Sequence, residues 1–283
     1  MRFIYACDVH GDKNKYEKLL EKAKIENIEY IVLGGDLYPK KGDRKIIQPE
    51  FIENWLGDYF ERLQKNNIKC ILIPGNDDIE QCDERFNALC SQFSNIFNIN
   101  RIKLDIEDIS FIGLPDVLDN PFENKNRVLM EDGLEMEPQR SPEIWINKGT
   151  KKLTVDEWRV YRETNVEKMR DVLTKLPKTD NNKKTIYVLH DPPYGIGLDM
   201  CFNGKCVGSK DIARFIERSN AYMSLHGHIH ESPRMSEKWY NKLGNTICIQ
   251  PGQTEFGDSK MMYVIIDTET NAKERFEIEV GKA

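Results

Sequence analysis

Residues 3–12 read FIYACDVHGD, an apolar run that ends abruptly in a cluster of Asp and His side chains. The β-branched and aromatic content of the run predicts a buried strand, with the polar cluster where the strand ends. Four later apolar runs end in the same manner, in Gly34-Gly35-Asp36, Gly75-Asn76-Asp77-Asp78, His190-Asp191-Pro192 and His226-Gly227-His228-Ile229-His230. Because ligands bind in the crevice outside the carboxyl ends of strands in open α/β sheets, we expect the five clusters to meet at one site.

Short apolar runs alternate with helix-period stretches along most of the chain. The predicted strands are Phe3–Cys7, Tyr30–Leu33, Cys70–Ile73, Ser110–Ile112, Thr185–Leu189, Tyr222–Leu225, Thr246–Ile249 and Met262–Ile266. The predicted helices, each with an apolar stripe, include Lys15–Ile25, Phe51–Leu63 and Ser209–Arg218. This order predicts an α/β fold with parallel pairing, and the alternating C-terminal residues predict an antiparallel hairpin.

Residues 115–184 depart from this rhythm, and we call them the excursion. Their first half is polar and rich in proline, whereas the second half predicts a helix opened by Thr154 and Glu157 as a capping box. Apolar residues continue at helical spacing as far as Leu173. Two interpretations stay open, a surface excursion with one docked helix or a cap that shapes a substrate pocket. The whole chain, 1–283, is otherwise predicted to be one domain.

Composition narrows the class of protein. The chain has 283 residues, a formal net charge of −6 and seven cysteines without framework spacing. Its first apolar stretch is too short for a signal peptide, and no run approaches the roughly 18 residues of a membrane span, so a cytoplasmic protein is expected. The cysteines then read as buried or free thiols, with a zinc or redox role for Cys201 and Cys206 as the alternative. The acidic balance argues against binding of extended nucleic acid but permits a small phosphorylated substrate.

The histidines point to a metal site. All five histidines lie in the strand-end clusters, beside three clusters of Asp and Asn side chains. Imidazole together with carboxylate is the ligand set of Zn, Mn or Fe, and no neighbouring thiolates suggest a cysteine-rich zinc site. The sequence therefore predicts a functional metal centre at the strand ends.

In this order, the motifs D-x-H, G-G-D, G-N-x-D, H-x-P and G-H-x-H resemble those of the calcineurin-like metallophosphoesterases, and LHDPPYG and HGHIHES are similar to small prokaryotic members. The resemblance implies a four-layer α/β/β/α sandwich of two mixed sheets flanked by helices. It also implies hydrolysis of a phosphoester by a hydroxide on two divalent ions, with Mn²⁺ expected and Fe, Zn or Ni as alternatives. By resemblance, Asp36 bridges one ion held by Asp8, His10 and His230 and another held by Asn76, His190 and His228.

One position departs from the family pattern. Most members have a histidine where this chain has Asp77, and that histidine assists the leaving group. An Asp of ordinary pKa is ionised at pH 7 and cannot donate a proton. Three interpretations stay open: Asp77 is kept protonated by Asp78 and the charges of the site, His226 serves as the acid or phosphate contact, or little acid assistance is needed. For His226 there is also the simpler role of orienting a ligand.

These features favour a phosphodiesterase acting on a small or nucleotide substrate. A phosphomonoesterase or a pyrophosphate-cleaving hydrolase is the alternative, and a catalytically silent metal-binding interaction module is the alternative from another class. A phosphoprotein phosphatase is not expected, because no Asp-Arg-Gly follows Asp36. In the loop after that residue, Lys40, Lys41 and Arg44 either contact substrate phosphate or are simply solvated.

Overall fold

The computed structural model describes residues 1–133, 138–146, 149–179, 182–254 and 259–281. The strands are β1 (Arg2–Ala6), β2 (Tyr30–Gly34), β3 (Lys69–Ile73), β4 (Ile96–Asn98), β5 (Lys103–Ile106), β6 (Ile109–Leu114), β7 (Val117–Leu118), β8 (Val128–Leu129), β9 (Glu143–Ile146), β10 (Gly149–Lys152), β11 (Lys184–Leu189), β12 (Met223–Leu225), β13 (Tyr240–Leu243), β14 (Thr246–Ile249), β15 (Lys260–Asp267) and β16 (Lys273–Glu279). The α-helices are α1 (Lys13–Ile25), α2 (Arg44–Phe51), α3 (Gly57–Lys65), α4 (Asp83–Cys90), α5 (Val155–Asn165), α6 (Met169–Lys175), α7 (Lys210–Ser219) and α8 (Ser232–Ser236). A π-helical segment, Ile52–Leu56, joins α2 to α3, and a 3₁₀ turn, Glu80–Cys82, precedes α4.

Twelve of these strands form two six-stranded sheets. The first has the order β16-β15-β1-β2-β3-β4, with β1 to β4 parallel and β15 and β16 antiparallel. The second has the order β13-β14-β12-β11-β6-β5, with four parallel central strands and an antiparallel strand at each edge. All eight predicted strands lie within these sheets. The predicted C-terminal hairpin is the pair β15 and β16.

The two sheets pack face to face, with helices on their outer faces. Apolar side chains of both sheets meet between them, for example Phe3 against Phe111 with ring centroids 6.1 Å apart. The outer face of the first sheet packs on α1, α3 and α4, and that of the second packs on α6 and α7. Each fully buried side chain of this size stabilises the fold by about 1.5–3 kcal/mol relative to exposure. The predicted four-layer sandwich of mixed sheets and helices is confirmed.

The helix predictions were right about position and wrong about two ends. The helix expected over Phe51–Leu63 begins earlier, at Arg44, because the Asp43 side chain accepts a hydrogen bond from Lys45 N (3.0 Å) and caps it. The helix opened by Thr154 has the predicted capping box but ends at Asn165. A second helix, α6, follows after an extended break, so the helical spacing as far as Leu173 spans two helices.

The excursion has its own small core. Buried apolar side chains from β7, β8, β9 and α5 pack together there, around Trp158. Beside them, Asp119 accepts hydrogen bonds from Lys125 Nζ (2.7 Å), Trp158 Nε1 (2.9 Å) and Arg162 Nη1 (3.3 Å). Burial lowers the pKa of Lys125, and Asp119 opposes that effect. Buried ions of this kind stabilise a fold only while every partner is present.

Two further sequence predictions concern cysteines and membranes. Cys7, Cys70, Cys82, Cys90 and Cys248 are buried free thiols, as expected. Cys201 and Cys206, which are also free, lie at half-buried positions on either side of a tight turn. Among the helices of the described residues, none combines the length and apolarity that crossing a membrane requires.

Candidate metal centre

The seven predicted ligands come from the carboxyl ends of strands in both sheets. Asp8 and His10 follow β1, Asp36 follows β2 and Asn76 follows β3, all in the first sheet. From the second sheet, His190 follows β11, while His228 and His230 follow β12. Because the two sheets pack face to face, these strand ends meet along one edge of the sandwich.

The backbone is in the left-handed region at four of these ligands. The φ angles are 55° at Asp8, 48° at His10, 52° at Asp36 and 67° at His228. Residues other than glycine adopt such angles uncommonly, and the cost is tolerated mainly where the surrounding structure fixes the backbone. Here main-chain hydrogen bonds fix it, since Asp8 N donates to Gly35 O (2.9 Å) and His10 N donates to Asp36 O (2.8 Å).

Glycines bring the ligand side chains close to neighbouring backbone. A Cβ atom at Gly75 would lie 2.2 Å from Asp36 Oδ1, and one at Gly35 would lie 2.3 Å from His190 Nδ1. Gly35 also has a φ of +107°, which side chains rarely permit. Any larger residue at either position would displace a ligand.

Four of the predicted ligands form one compact group. Ligand atoms of Asp8, His10, Asp36 and His230 all lie within 4.8 Å of one another. His10 Nε2 is 3.1 Å from His230 Nε2, and His230 Nε2 is 3.4 Å from Asp8 Oδ1. Two ligands bound to one ion at about 2.1 Å lie no more than about 4.2 Å apart. The His10–His230 and His230–Asp8 spacings meet that limit, and the 4.8 Å span of the whole group is slightly wider.

The other three ligands lie on the far side of Asp36. His190 Nε2 is 3.1 Å from Asn76 Oδ1 and 3.5 Å from Asp36 Oδ2. The His228 ring lies 5.5 Å from the His190 ring, measured between centroids, and His228 N donates to Asp8 Oδ1 (3.0 Å). Asp36 therefore lies between the two groups. The structure brings all seven predicted ligands together.

The donor atoms fit metal ions. Asp8 Oδ2 is buried and has no hydrogen-bond partner among the described residues, which leaves a carboxylate oxygen available to a cation. The Lys40 ammonium lies 3.1 Å from His10 Nε2, so a positive charge already lies against this ligand set. Burial alone disfavours a charged His190, yet Asp36 and Asp8 outweigh it and raise the pKa of that imidazole to about 10. Buried carboxylates of this density call for cationic partners.

His226 lies apart from these groups. Its side chain is fully buried, with Nδ1 3.0 Å from the carbonyl oxygens of Leu189 and Asp191 and Nε2 2.8 Å from Ser224 Oγ. Burial lowers its pKa to about 4. Both ring nitrogens are thus engaged with groups that flank His190, and this placement corresponds to the orienting role rather than to an acid that reaches substrate.

Asp78 is also turned away from the cavity. Its carboxylate is buried and accepts hydrogen bonds from the main-chain N–H groups of Leu37, Tyr38 and Gly75, at 2.7–2.8 Å. Burial and the nearby Asp36 raise the pKa of Asp78 to about 8, against these hydrogen bonds. Its position ties the loop after β2 to the loop after β3, so Asp78 positions ligands and makes no contact with the cavity.

Asp77 borders the cavity and is paired with an arginine. Arg44 Nη2 lies 2.8 Å from Asp77 Oδ1, and His10 Nδ1 lies 3.9 Å from Asp77 Oδ2. Burial and Asp36 raise the pKa of Asp77, whereas Arg44 and Lys40 oppose that shift. Arg44 Nη1 is buried without a hydrogen-bond partner among the described residues.

Sequence reasoning missed the residues that clamp the third motif from outside. Asn126 Nδ2 donates to Asn76 O (2.9 Å) and Asp78 O (2.8 Å), while Asn126 Oδ1 accepts from Glu80 N (3.1 Å). Gln48 Nε2 donates to Asp77 O (2.8 Å) from α2. An Asn in a proline-rich loop and a Gln in a helix carry no sequence signal of such a role. Asn126 thus holds the main chain of the predicted ligand Asn76, and Gln48 holds the main chain of the cavity residue Asp77.

Solved structures share this fold. One superposes with a TM-score of 0.64 at 16% identity, covering 98% of both chains. The TT1561 protein of Thermus thermophilus has a TM-score of 0.59 at 16% identity over 99% of both chains. A dimetal phosphatase from Danio rerio has a TM-score of 0.50 at 9% identity, again over 99% of both chains. At these identities the likeness shows the fold alone.

Sequence comparison identifies the family. None of the curated protein sequences matches this chain significantly. The sequence profile of the calcineurin-like phosphoesterases, however, matches residues 1–232, a range that contains all seven predicted ligands. This family uses divalent metals, and the described residues offer a site for one in Asp8, His10, Asp36 and His230. The chain belongs to the calcineurin-like phosphoesterase family and is a hydrolase of phosphoester bonds.

Proposed function

We propose that the protein is a phosphodiesterase that hydrolyses a small phosphodiester with two divalent metal ions. The observation that carries the proposal is the pair of ligand groups on either side of Asp36, at the base of a cavity that both sheets and the excursion line. Two ions held there would lower the pKa of bound water and neutralise phosphoryl oxygens. Asp8, His10 and His230 would hold one ion, and the other would be held by Asn76, His190 and His228.

Manganese is the metal we propose. The ligands mix imidazole nitrogens with carboxylate and amide oxygens, a combination that suits Mn²⁺, and Fe, Zn or Ni can bind the same set. His190 is oriented by Gly34 O, which lies 2.8 Å from its Nδ1 and leaves Nε2 facing Asp36. Loss of a group that orients a metal ligand in this way commonly lowers metal affinity by about 10–100-fold.

The preference for diesters rests on the surroundings of the third motif. Four of the five histidines belong to the two ligand groups, and His226 is enclosed by main-chain carbonyl oxygens. No imidazole therefore remains to protonate a departing oxygen. Asp77, at the position where most family members carry that histidine, is paired with Arg44. A substrate whose leaving group needs little protonation fits this arrangement best, which favours diesters or esters with good leaving groups.

The test compares Mn²⁺-dependent hydrolysis of bis(4-nitrophenyl) phosphate with that of 4-nitrophenyl phosphate. We expect faster hydrolysis of the diester. Asp36→Asn should lower kcat/KM by about 10²–10³-fold or more, because the carboxylate between the two ligand groups is lost. The matched control is Asp58→Asn, an exposed carboxylate on α3.

Two outcomes would contradict the proposal. Faster hydrolysis of the monoester would replace the phosphodiesterase by a phosphomonoesterase. A protein that binds two ions, as counted by plasma emission spectrometry, and hydrolyses neither ester would instead support a catalytically silent module.

A further inference from the structure

The cavity above the metal ligands is much larger than a phosphoryl group requires. Its volume is about 850 Å³, within the range of sites that enclose a whole small molecule. Asp36, Asn76 and His230 line one part of it, and residues of the excursion line another. A substrate bound at the metals therefore has room to extend a large substituent toward the excursion.

An exposed aromatic ring lies on the excursion side. Phe122 lines the cavity and is 64% exposed. Hydrogen bonds hold the backbone around it, since Phe122 N donates to Asn120 Oδ1 (3.1 Å) and Gln139 N donates to Pro121 O (2.8 Å). The buried Lys125 ammonium also donates to Asn120 O. Phe122 thus presents a largely exposed apolar ring on a backbone that these hydrogen bonds hold in place.

A second aromatic side chain and several polar groups share this part of the cavity. Trp145 lines it, with its indole Nε1 donating to Asn124 Oδ1 (2.7 Å) and the Lys45 ammonium 5.9 Å from its ring centroid. Arg44 also lines the cavity, and its guanidinium pairs with Asp77 (2.8 Å). Aromatic faces beside amide and cationic groups are the combination on which nucleobases and their phosphates bind.

From this arrangement we propose that the excursion side of the cavity binds the base of a nucleoside phosphodiester, stacked on Phe122. The inference deepens the proposed function and rests on it, since it names the substituent carried by the ester. Arg44 then contacts the phosphate, and the ring extends away from the metal ligands. Because every base has an aromatic face, stacking of this kind selects nucleosides over aliphatic alcohols without selecting among bases.

Binding of adenosine 5′-monophosphate and ribose 5-phosphate tests the proposal, since the base is the main difference between the two. Isothermal titration of the Mn²⁺-loaded protein should show tighter binding of the nucleotide. Phe122→Ala should weaken that binding by roughly 5–100-fold, the usual loss when a stacking ring is removed, and leave ribose 5-phosphate unchanged. Phe122→Trp should preserve the difference, because it keeps an aromatic face.

The control is Tyr240→Ala, which removes an exposed aromatic ring outside the cavity and should change neither affinity. Equal binding of the two ligands by the unaltered protein, or an equal loss for both in Phe122→Ala, would overturn the inference. The proposed function is judged by turnover of bis(4-nitrophenyl) phosphate and the base subsite by this difference in binding. The two can therefore fail separately.

Discussion

The strand-end loops hold their ligands with main-chain hydrogen bonds, whereas the excursion holds its cavity wall with buried side-chain ion pairs. Asp8 and His10 are fixed by carbonyl oxygens of the neighbouring loop, so their positions follow from how β1 and β2 pair. The wall that carries Phe122 depends on Asp119 and Lys125. We therefore expect substitutions around Phe122 to change which molecules bind while the predicted metal ligands stay in place.

The largest effect is expected where the excursion depends on one carboxylate. Asp119→Ala would leave Lys125 buried with no counter-charge, at a cost of about 3–5 kcal/mol. Hydrogen exchange should show the loss of stability as faster exchange within the excursion. Titration with Mn²⁺ should show that the affinity of the protein for this ion is unchanged. Asp132→Ala is the control, because Asp132 is exposed and pairs with Lys168 and Arg170 at the surface, where solvent weakens such pairs. If Mn²⁺ affinity fell in parallel with stability, the strand-end loops and the excursion would not be held independently of each other.

A smaller effect is expected at the point where the two regions touch. Asn126→Ala removes one donor to Asn76 O and one to Asp78 O, which weakens the clamp that the excursion places on the third motif. Asn124 Nδ2 and Arg127 Nε still donate to the same two oxygens. We expect kcat/KM for bis(4-nitrophenyl) phosphate to fall by about 10–100-fold, as for other partners that orient metal ligands. Asn126→Asp keeps the acceptor for Glu80 N but not the donors, and it should be as impaired as the alanine variant. Full activity in the aspartate variant would show that the donors do not matter.

The smallest effect is expected at the far end of the excursion. Thr154→Ala removes the capping box of α5, in which Thr154 Oγ1 accepts from Glu157 N (3.2 Å), and should cost about 1 kcal/mol. Faster hydrogen exchange in the first turn of α5 would record the loss, with Thr154→Ser as the variant that retains the cap. Because α5 contains none of the predicted metal ligands, turnover should not change. Reduced turnover would show that the excursion is coupled to those ligands more strongly than its contacts indicate.

Most of the scaffold was predictable because strand periodicity and the polar residues after each strand are local signals. The five clusters, the eight strands and the convergence of the seven ligands follow from them. The short strands β5 and β13 were missed, because KLDI and YNKL are edge strands with alternating exposed side chains. The start of α2 was missed because Pro49 lies inside it and proline normally marks a boundary.

The remaining misses depend on tertiary contacts. The extended break after Asn165 forms because Met130 N donates to Glu167 O and Met169 N donates to Met130 O, a pairing that no local pattern encodes. Asn126 contacts Asn76, which is 50 residues away in the sequence. The sequence around Asn126 is that of an ordinary polar loop and gives no sign of this contact. The environments of His226 and Asp78 also could not be predicted, because they depend on how deeply each side chain is buried and not on the motif to which it belongs.

The left-handed backbone at Asp8, His10 and Asp36 bears on how the protein can be handled. Hydrogen bonds between the loops after β1 and β2 fix those angles, including Gly11 N to Leu37 O (2.9 Å), and they involve no metal. Small zinc domains, in contrast, unfold when chelators strip them. Here a chelator should yield an inactive protein that remains folded and regains activity when Mn²⁺ is supplied, so metal exchange can be studied by dialysis alone.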